Sequence, residues 1–350
     1  MGQFVGVRMV KANSVDLSLF QFDYDMTFAV FFMNADRTIY GRYGTRSEYD
    51  AAKAISLPGF GKAFQGVLDL HQEYPRNKRT LLAKTGSAPL QRIPEDFPAL
   101  RSLRSGQNAV TSCIHCHQVL DAKRDQLRTA KKPISDKDVF PYPIPDVIGL
   151  VLDPEERAKI SRVLADSPAA MAGFRPGDEI KELNGQPIIS IADVQWVLHN
   201  VVEADAQSSV KLDAKVLRQV RLGTLTISLR AGWRRNSDIL WRATTWEMNR
   251  IVGGSLKWKT LTDAARKRLG LAPNATAIQV DFVGWWGPYQ AGKRAGFKKG
   301  DVMISFDNQR TLKDVNEFYA YAMNKAVKGK QVAVEILRNG RKMSLQLPMQ

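Results

Sequence analysis

At 350 residues the chain is long enough for two or three domains, and its 44% hydrophobic and 25% charged residues are ordinary for globular proteins. No apolar run reaches the length of a bilayer crossing, so a transmembrane segment is not expected. The net charge of +16 favours contact with anionic surfaces such as phospholipid or an acidic redox partner. Because the basic residues are spread along the chain and no zinc-finger or RNP motif is present, nucleic-acid binding is not expected.

The first hundred residues predict a small α/β scaffold. Residues 4–10 alternate apolar with small or polar side chains, which is typical of a strand. A dense apolar run at 27–33, a turn at 34–37 and a second strand pattern at 38–44 predict a hairpin. A helical pattern then extends from Ser47 to Leu70, and Pro58-Gly59 is expected to interrupt it.

The stretch TFAVFFMNADRTIYGRYGTRS resembles the central hairpin of thioredoxin-like proteins. The resemblance implies a partial thioredoxin-like α/β domain over residues 1–75. It implies no dithiol chemistry there, because no strand and helix with C-x-x-C precede Phe4 and no proline occupies position 26 or 27. Since this first part and a signal peptide are both missing, we expect that the chain is shortened at its N-terminus.

Residues 76–143 are predicted to connect this scaffold to a haem-binding segment. Residues 72–104 are polar and broken by prolines, so at most one short helix is expected there. Both cysteines of the chain lie in the sequence Cys113-Ile114-His115-Cys116-His117, and the spacing C-x-x-C-H is the attachment signature of c-type haem. In this reading the two thiols bind one covalent haem c, and His117 ligates its iron. There are two alternatives: a redox dithiol, and a metal bound with His115 or His117.

The second iron ligand is not determined by the sequence. The candidates are a water or one of the side chains His71, Met26, Met33 and Met171. Residues 116–128 predict a helix, and the proline-rich residues 133–145 predict extended chain. The aromatic residues Phe140 and Tyr142 would cover a haem edge or pack on the next domain.

The last two hundred residues contain a repeat, which indicates a duplicated unit. Three pairs of segments match, namely 172–180 with 295–303, 184–186 with 307–309, and 191–194 with 312–315. The segment SPAAMAGFRPGD at 167–178 resembles the corresponding segment of bacterial PDZ domains. The resemblance implies PDZ domains at 144–232 and 263–350, with a connector at 233–262. The fold class is therefore α+β multidomain, with the thioredoxin-like part followed by two PDZ-type β-barrel or sandwich domains.

The PDZ resemblance implies that an extended peptide is added beside a strand and a helix, with its C-terminal carboxylate on a preceding loop. In the first copy the loop would be Val147-Ile148-Gly149-Leu150, and Val194 and Leu198 would line the groove from the helix at 191–200. The loop of the second copy is expected near residues 268–271. The alternative is that both PDZ units pack against the rest of the chain and bind no free peptide. The tryptophans of the link at 232–242 are expected to be buried, or else to stack on a nucleotide or haem edge.

No Gly-x-Ser-x-Gly motif and no His/Asp/Ser arrangement of a protease is visible, so protease activity is not expected, and no other enzyme activity is assigned. The main hypothesis is an exported, periplasmic haem protein that acts in electron transfer or redox sensing and docks to partners through its PDZ domains. This combination of domains resembles multidomain proteins of planctomycete-like bacteria. A haem-free PDZ scaffold for C-terminal peptides and a thiol–disulfide oxidoreductase using Cys113 and Cys116 are the two alternatives.

Overall fold

The computed structural model describes residues 2–46, 54–101, 113–205, 207–325 and 327–350. The chain forms two compact units. Unit 1 consists of residues 1–123 and 141–237, and unit 2 consists of residues 124–140 and 238–350. Among the described residues, no helix combines the length and the apolar character that a bilayer crossing requires.

The N-terminal part of unit 1 contains the predicted hairpin. Strands β1 (Val30–Met33) and β2 (Ile39–Tyr43) pair antiparallel and form a two-stranded sheet. Helix α1 (Leu57–Gln72) follows, with Ser56 as its N-cap. Because Pro58 lies in the first helical turn, where its missing N–H has no intrahelical partner, Pro58-Gly59 begins the helix instead of interrupting it. The thioredoxin-like identity of this part stays a prediction.

Two local predictions for the N-terminal half are wrong. Residues 4–10 form no strand, and Val5 and Val7 are 93% and 85% exposed, so their apolar pattern has no partner strand to pack on. The polar segment at 72–104 has several short helical turns instead of at most one. These are α2 (Lys78–Leu81), α3 (Pro98–Arg101) and 3₁₀ turns at Leu82–Lys84 and Pro94–Asp96. The predicted helical residues 47–53 lie outside the described residues.

The first PDZ unit completes unit 1. Strands β3 (Leu150–Leu152) and β4 (Ile160–Val163) pair with each other, and a second sheet has the strand order β6-β5-β7-β8. Its strands are β5 (Glu179–Leu183), β6 (Gln186–Pro187), β7 (Ser209–Arg218) and β8 (Arg221–Arg230). The helices are α6 (Pro168–Met171) and α7 (Ile191–Asn200). The predicted strand at 179–183, the turn at Asn184-Gly185 and the helix at 191–200 are confirmed.

Helix α4 (Cys116–Thr129) confirms the helix predicted after the cysteines, and its last residues open unit 2. The five strands of unit 2 form one sheet in the order β13-β12-β11-β10-β9, which begins inside the segment assigned to the connector. They are β9 (Leu256–Thr260), β10 (Ile278–Val283), β11 (Val302–Phe306), β12 (Gln331–Arg338) and β13 (Arg341–Pro348). The helices are α5 (Asp136–Val139), α8 (Ala243–Ile251), α9 (Asp263–Arg268), α10 (Ala291–Arg294) and α11 (Val315–Lys325). Helix α5 corrects the prediction of extended chain at 133–145, since four residues between the prolines suffice for one helical turn.

The repeat predicted from the sequence is held in both copies by the same ion pair, which we call the Asp–Arg pair. In unit 1, Asp178 accepts two hydrogen bonds from the Arg218 guanidinium at 2.7 and 2.8 Å. In unit 2, Asp301 accepts two from Arg338, both at 2.7 Å. Each arginine also donates to a backbone carbonyl of the preceding turn, that of Gly173 or Gly296. Both carboxylates are only 1% exposed, so the pair fastens the tight Gly-Asp turn to the long hairpin behind it.

We expect that replacing Asp178 by asparagine lowers the free energy of unfolding by about 2 kcal/mol, because charge-assisted hydrogen bonds to a buried carboxylate are lost. Urea unfolding of the full chain would measure the change. The matched control is Glu182→Gln, whose partner Lys215 lies 2.9 Å away on the exposed face of the same sheet. This surface pair should contribute less than about 1 kcal/mol. Equal effects of the two substitutions would contradict the assigned role of the Asp–Arg pair.

The same pair predicts a pH dependence. Burial by itself raises the pKa of Asp178, but hydrogen bonds from Arg218 and the Arg175 N–H outweigh it and leave the pKa below its ordinary value. A carboxylate with a lowered pKa stabilises the fold above its unfolded pKa of about 4 and loses that contribution as the pH falls further. The stability difference between the wild type and Asp178→Asn should therefore be constant at neutral pH and shrink below about pH 4. A difference that does not change down to pH 2 would contradict this assignment.

Candidate peptide-binding site

The predicted carboxylate loop of unit 1 ends in a turn that requires glycine. Residues Pro145–Ile148 form a 3₁₀ turn, and Gly149 follows with φ +92°. A Cβ atom on Gly149 would lie 1.9 Å from Ser167 Oγ, which caps helix α6 by accepting from the Ala170 N–H at 3.1 Å. The Gly149 carbonyl accepts from the Leu164 N–H at 2.9 Å. The turn is therefore fixed by α6 and leads directly into strand β3.

The structure brings the predicted groove residues of unit 1 together. The five apolar ones belong to a single hydrophobic core and are at most 6% exposed: Val147, Ile148, Leu150, Val194 and Leu198. Within the described residues, strand β3 has β4 as its only paired neighbour, so β3 is an edge strand. A PDZ groove is the space beside such an edge. Contact of these residues with a peptide stays a prediction.

Unit 2 contains the equivalent elements at a place that the sequence analysis missed. Ladder pairs Leu150↔Val163 and Leu256↔Val283 align the two copies, so Ser255 corresponds to Gly149. The Ser255 carbonyl accepts from the Gly284 N–H at 3.0 Å, and both Gly254 and Ser255 have positive φ. The loop therefore lies at 252–255 and not near 268–271, where the chain ends α9. The signal in the sequence was the pair Gly253-Gly254 before the alternating strand Leu256–Thr260.

Helix α7 of unit 1 is buried on every side over residues 192–198. One side faces the PDZ core, and another is covered by the N-terminal part of the same unit. A Cβ atom on Gly41 of strand β2 would lie 2.4 Å from Ile189 Cδ1, just before the helix. A third side is covered by Tyr142, whose ring stacks on His199 at a centroid distance of 4.0 Å. A helix that lines an open groove exposes one face, so α7 is covered by the chain's own segments.

Buried charges join α7 to the N-terminal part. Asp193 and Lys84 are both fully buried, with 3.0 Å between Nζ and Oδ1. Asp193 also accepts from the backbone N–H groups of Arg42 and Ile189 at 3.2 and 3.1 Å. Burial lowers the pKa of Lys84, although the charge of Asp193 acts in the opposite direction. No local sequence pattern predicts this pair, because its partners are 109 positions apart.

Arg42 completes this network. Its guanidinium lies 3.7 Å from the ring centre of Trp196 and donates to the Lys84 carbonyl at 2.7 Å. Burial lowers the pKa of Arg42 to about 10. The indole N–H of Trp196 donates to the Ala83 carbonyl at 3.0 Å. The outer side of α7 is thus a packed polar interior and not a free surface.

The aromatic side chains singled out in the connecting segments are buried. Phe140 is fully buried in the core of unit 2, and Tyr142 is buried in the core of unit 1, so packing on the PDZ units is confirmed and cover of a haem edge is not. Trp233 and Trp241 are 6% and 5% exposed, which confirms that the tryptophans of the link at 232–242 are buried.

The cysteine segment begins helix α4. Cys113 is exposed, whereas Cys116 is half-buried and packs against a small apolar cluster around Ile114. Burial raises the pKa of the Cys116 thiol, which lowers its thiolate fraction and does not suit a thiol–disulfide nucleophile. His117 Nδ1 lies 3.8 Å from Asp121 Oδ2, and this contact raises the pKa of His117. When Nδ1 carries a proton, His117 can ligate iron only through Nε2. Haem attachment at Cys113 and Cys116 stays a prediction.

The proposed second iron ligand has a different environment. His71 Nδ1 lies 2.7 Å from the Tyr40 hydroxyl, in a cluster with Tyr74 that is separate from the one that contains Cys116. In the described part of the chain, no three His, Cys, Asp or Glu side chains are arranged to hold a metal ion. His71 as an iron ligand is a prediction without structural support.

Comparisons with known proteins identify one module. A family model described as PDZ domain matches residues 159–212, so a PDZ domain is present. A "Probable periplasmic serine endoprotease DegP-like" of Marinomonas sp. is 30% identical over 192 residues, which are 55% of this chain and 37% of the relative. A protein of the same name from Pseudomonas savastanoi pv. phaseolicola is 28% identical over 193 residues, again covering 37% of its own length. The chain thus spans about a third of these curated relatives.

Solved structures give a weaker match. The HtrA-type protease AlgW with a decapeptide is 17% identical over 39% of this chain and 48% of its own, with a TM-score of 0.23. The HtrA3 PDZ domain bound to a phage-derived ligand is also 17% identical, with a TM-score of 0.21, over 27% of this chain and 79% of its own.

These findings correct the functional prediction. The expectation of a haem protein for electron transfer or redox sensing is wrong, because the relatives are named serine endoproteases. The expectation that the protein is not an enzyme is overturned by the same names. The PDZ-scaffold alternative fits only in its PDZ part. Nothing in the comparisons supports a planctomycete origin or a thioredoxin-like part.

We expect that Asp193→Asn and Lys84→Met each lower the free energy of unfolding by about 3 kcal/mol, because each leaves one buried charge without its partner. The double variant should be less destabilised than the sum, by about 1 to 3 kcal/mol, since it leaves no unpaired charge. Denaturant unfolding of the full chain measures all three. Lys62→Met is the control, because Lys62 pairs with Glu156 at the surface and should contribute less than about 1 kcal/mol. Strict additivity of the two core substitutions would contradict the pairing.

Proposed function

We propose that this protein acts in the proteolysis of periplasmic proteins, in the manner of the DegP-like endoproteases it is similar to, and that its PDZ units hold polypeptide ends for that process. The observation that carries the proposal is the repeated arrangement of an edge strand behind a turn with positive φ. It occurs at Gly149 and β3 in unit 1 and at Gly254-Ser255 and β9 in unit 2. An edge strand offers unpaired N–H and C=O groups to which a peptide can add.

Strand β9 is the better candidate for the binding strand. It has five residues against three in β3, and the side chains of Lys257 and Lys259 on it are exposed. Helix α11 beside it keeps partly exposed positions such as Tyr321, whereas α7 is covered throughout its central part. The longer edge strand β9 and its positive charge fit the C-terminal carboxylate of an extended peptide.

We assign no residue of this chain to the chemistry of a catalytic serine. Of the histidines, His71 contacts the Tyr40 hydroxyl, His117 contacts Asp121, and His199 Nδ1 lies 3.3 Å from the Tyr142 backbone nitrogen. The role assigned here is recognition of the polypeptide. Labelling of the full chain with a fluorophosphonate probe, together with a casein degradation assay, separates recognition alone from recognition combined with cleavage.

We expect a fluorescently labelled C-terminal peptide with a free carboxylate to bind at least tenfold more tightly than the same peptide amidated, because PDZ loops bind the carboxylate through backbone N–H groups. Fluorescence polarisation measures both affinities. Lys257→Glu should weaken binding severalfold, whereas Lys342→Glu, on the opposite edge strand β13, should leave it unchanged. Equal affinity for both peptides, or equal effects of the two substitutions, would contradict the proposal.

A further inference from the structure

Unit 2 carries most of the positive charge of the protein. Its residues include 24 lysines and arginines against 12 aspartates and glutamates, so it holds 12 of the 16 net positive charges. This difference between the units is not required by the PDZ fold, because unit 1 contains the other PDZ copy. A concentrated charge of one sign points to an anionic partner.

Part of this charge surrounds a cavity of about 170 Å³ between the ends of helices α4 and α11. Its lining includes five basic residues: Arg128, Lys131, Lys132, Lys325 and Lys328. Asp125 Oδ1 lies 3.4 Å from Lys328 Nζ and offsets part of the charge. The remaining excess and the small volume suit an anion of the size of a phosphate group.

Lys131 has an unfavourable backbone conformation at the end of helix α4. Helix α4 ends with bonds from the Lys131 N–H to the Arg128 carbonyl and from the Lys132 N–H to the Leu127 carbonyl, both at 2.9 Å. This is a Schellman ending, in which the left-handed position is usually glycine. Lys131 occupies it with φ +54°, which costs about 1 kcal/mol relative to glycine. The strain is consistent with a use for the lysine side chain at this point.

An exposed aromatic patch lies on the same unit as the cavity. Trp246, Trp285 and Trp286 are 42%, 64% and 40% exposed, and the Trp286 ring lies 5.4 Å from Tyr289 and 6.0 Å from Trp246 between centroids. Gln350 connects this patch to the cavity. Its carbonyl accepts from Arg128 Nη2 at 2.9 Å, and its side-chain amide donates to the Pro288 carbonyl at 3.3 Å.

We propose that this face of unit 2 binds the surface of a bilayer that contains anionic phospholipid. The basic cavity takes a lipid phosphate, and Trp246, Trp285 and Trp286 enter the headgroup region. Tryptophan is favoured at this depth because its ring is amphipathic, and lysines near the surface are attracted to anionic lipid. Both features lie on unit 2, and Gln350 contacts Arg128 at the cavity and Pro288 in the same loop as Trp286. Neither is part of the peptide-binding site proposed above.

The test uses the full chain and vesicles of either pure phosphatidylcholine or an equimolar mixture with phosphatidylglycerol. We expect co-sedimentation with the mixed vesicles only, weakened by added salt, and quenching of tryptophan fluorescence by lipids brominated in the upper acyl chain. Lys131→Ala with Lys132→Ala should weaken binding at least tenfold. Trp285→Ala should also weaken it severalfold. All six side chains changed in these variants and in the controls are exposed, and circular dichroism checks the fold.

The controls separate a site from net charge alone. Lys298→Ala with Lys299→Ala removes the same charge from an exposed turn of the same unit, and Met343→Ala removes an exposed apolar side chain. If either control weakens binding as much as its test variant, the proposed face is wrong. Equal binding to both kinds of vesicle also overturns the proposal. So does binding of inorganic phosphate or glycerol phosphate without vesicle binding, because the site would then serve a free anion.

Discussion

The Asp–Arg pair is the constraint on which both PDZ-like units depend. In each copy a carboxylate hidden from solvent must be paired, and the arginine that pairs it comes from the far end of a long hairpin. The pair therefore sets the position of the Gly-Asp turn relative to the sheet. That position in turn fixes β4 in unit 1 and β10 in unit 2, because the Asp178 and Asp301 carbonyls accept hydrogen bonds from the Ile160 and Val280 N–H groups. Strand β4 pairs with the edge strand β3, and β10 pairs with the edge strand β9.

The two PDZ-like units share the Asp–Arg pair but have different surroundings. In unit 1 the helix beside the edge strand is covered by the N-terminal hairpin through Asp193, Lys84 and Arg42. A buried ion pair of this kind adds little net stability, but it does not tolerate separation of its partners. The N-terminal part and the first PDZ module therefore belong to one compact unit. In unit 2 the strand β9 keeps exposed lysines, and the surplus positive charge lies on this unit.

The cysteine motif shows how a strong local pattern can mislead about function. C-x-x-C-H indicated electron transfer or redox sensing, but the similar proteins are named serine endoproteases, and haem attachment itself stays a prediction. Cys116 is half-buried with a raised pKa, and His117 contacts a carboxylate. The more informative part of the sequence was the repeat, whose first copy contains the residues that the PDZ family model matches, 159–212.

The sequence by itself determined the elements whose signals are local. Alternating strands, the Asn184-Gly185 turn, the apolar period of α7 and the duplicated Gly-Asp segment depend on neighbouring residues, so the hairpin at 30–43 and the PDZ strands were predictable. Tertiary structure alone decided the rest. Residues 4–10 have a strand pattern but no partner strand. The burial of Asp193 depends on Lys84 and Arg42, which are far away in the chain. Burial, pairing of charges and the presence of the cavity and the tryptophans on one unit are properties of chain segments brought together from a distance, and no local pattern encodes them.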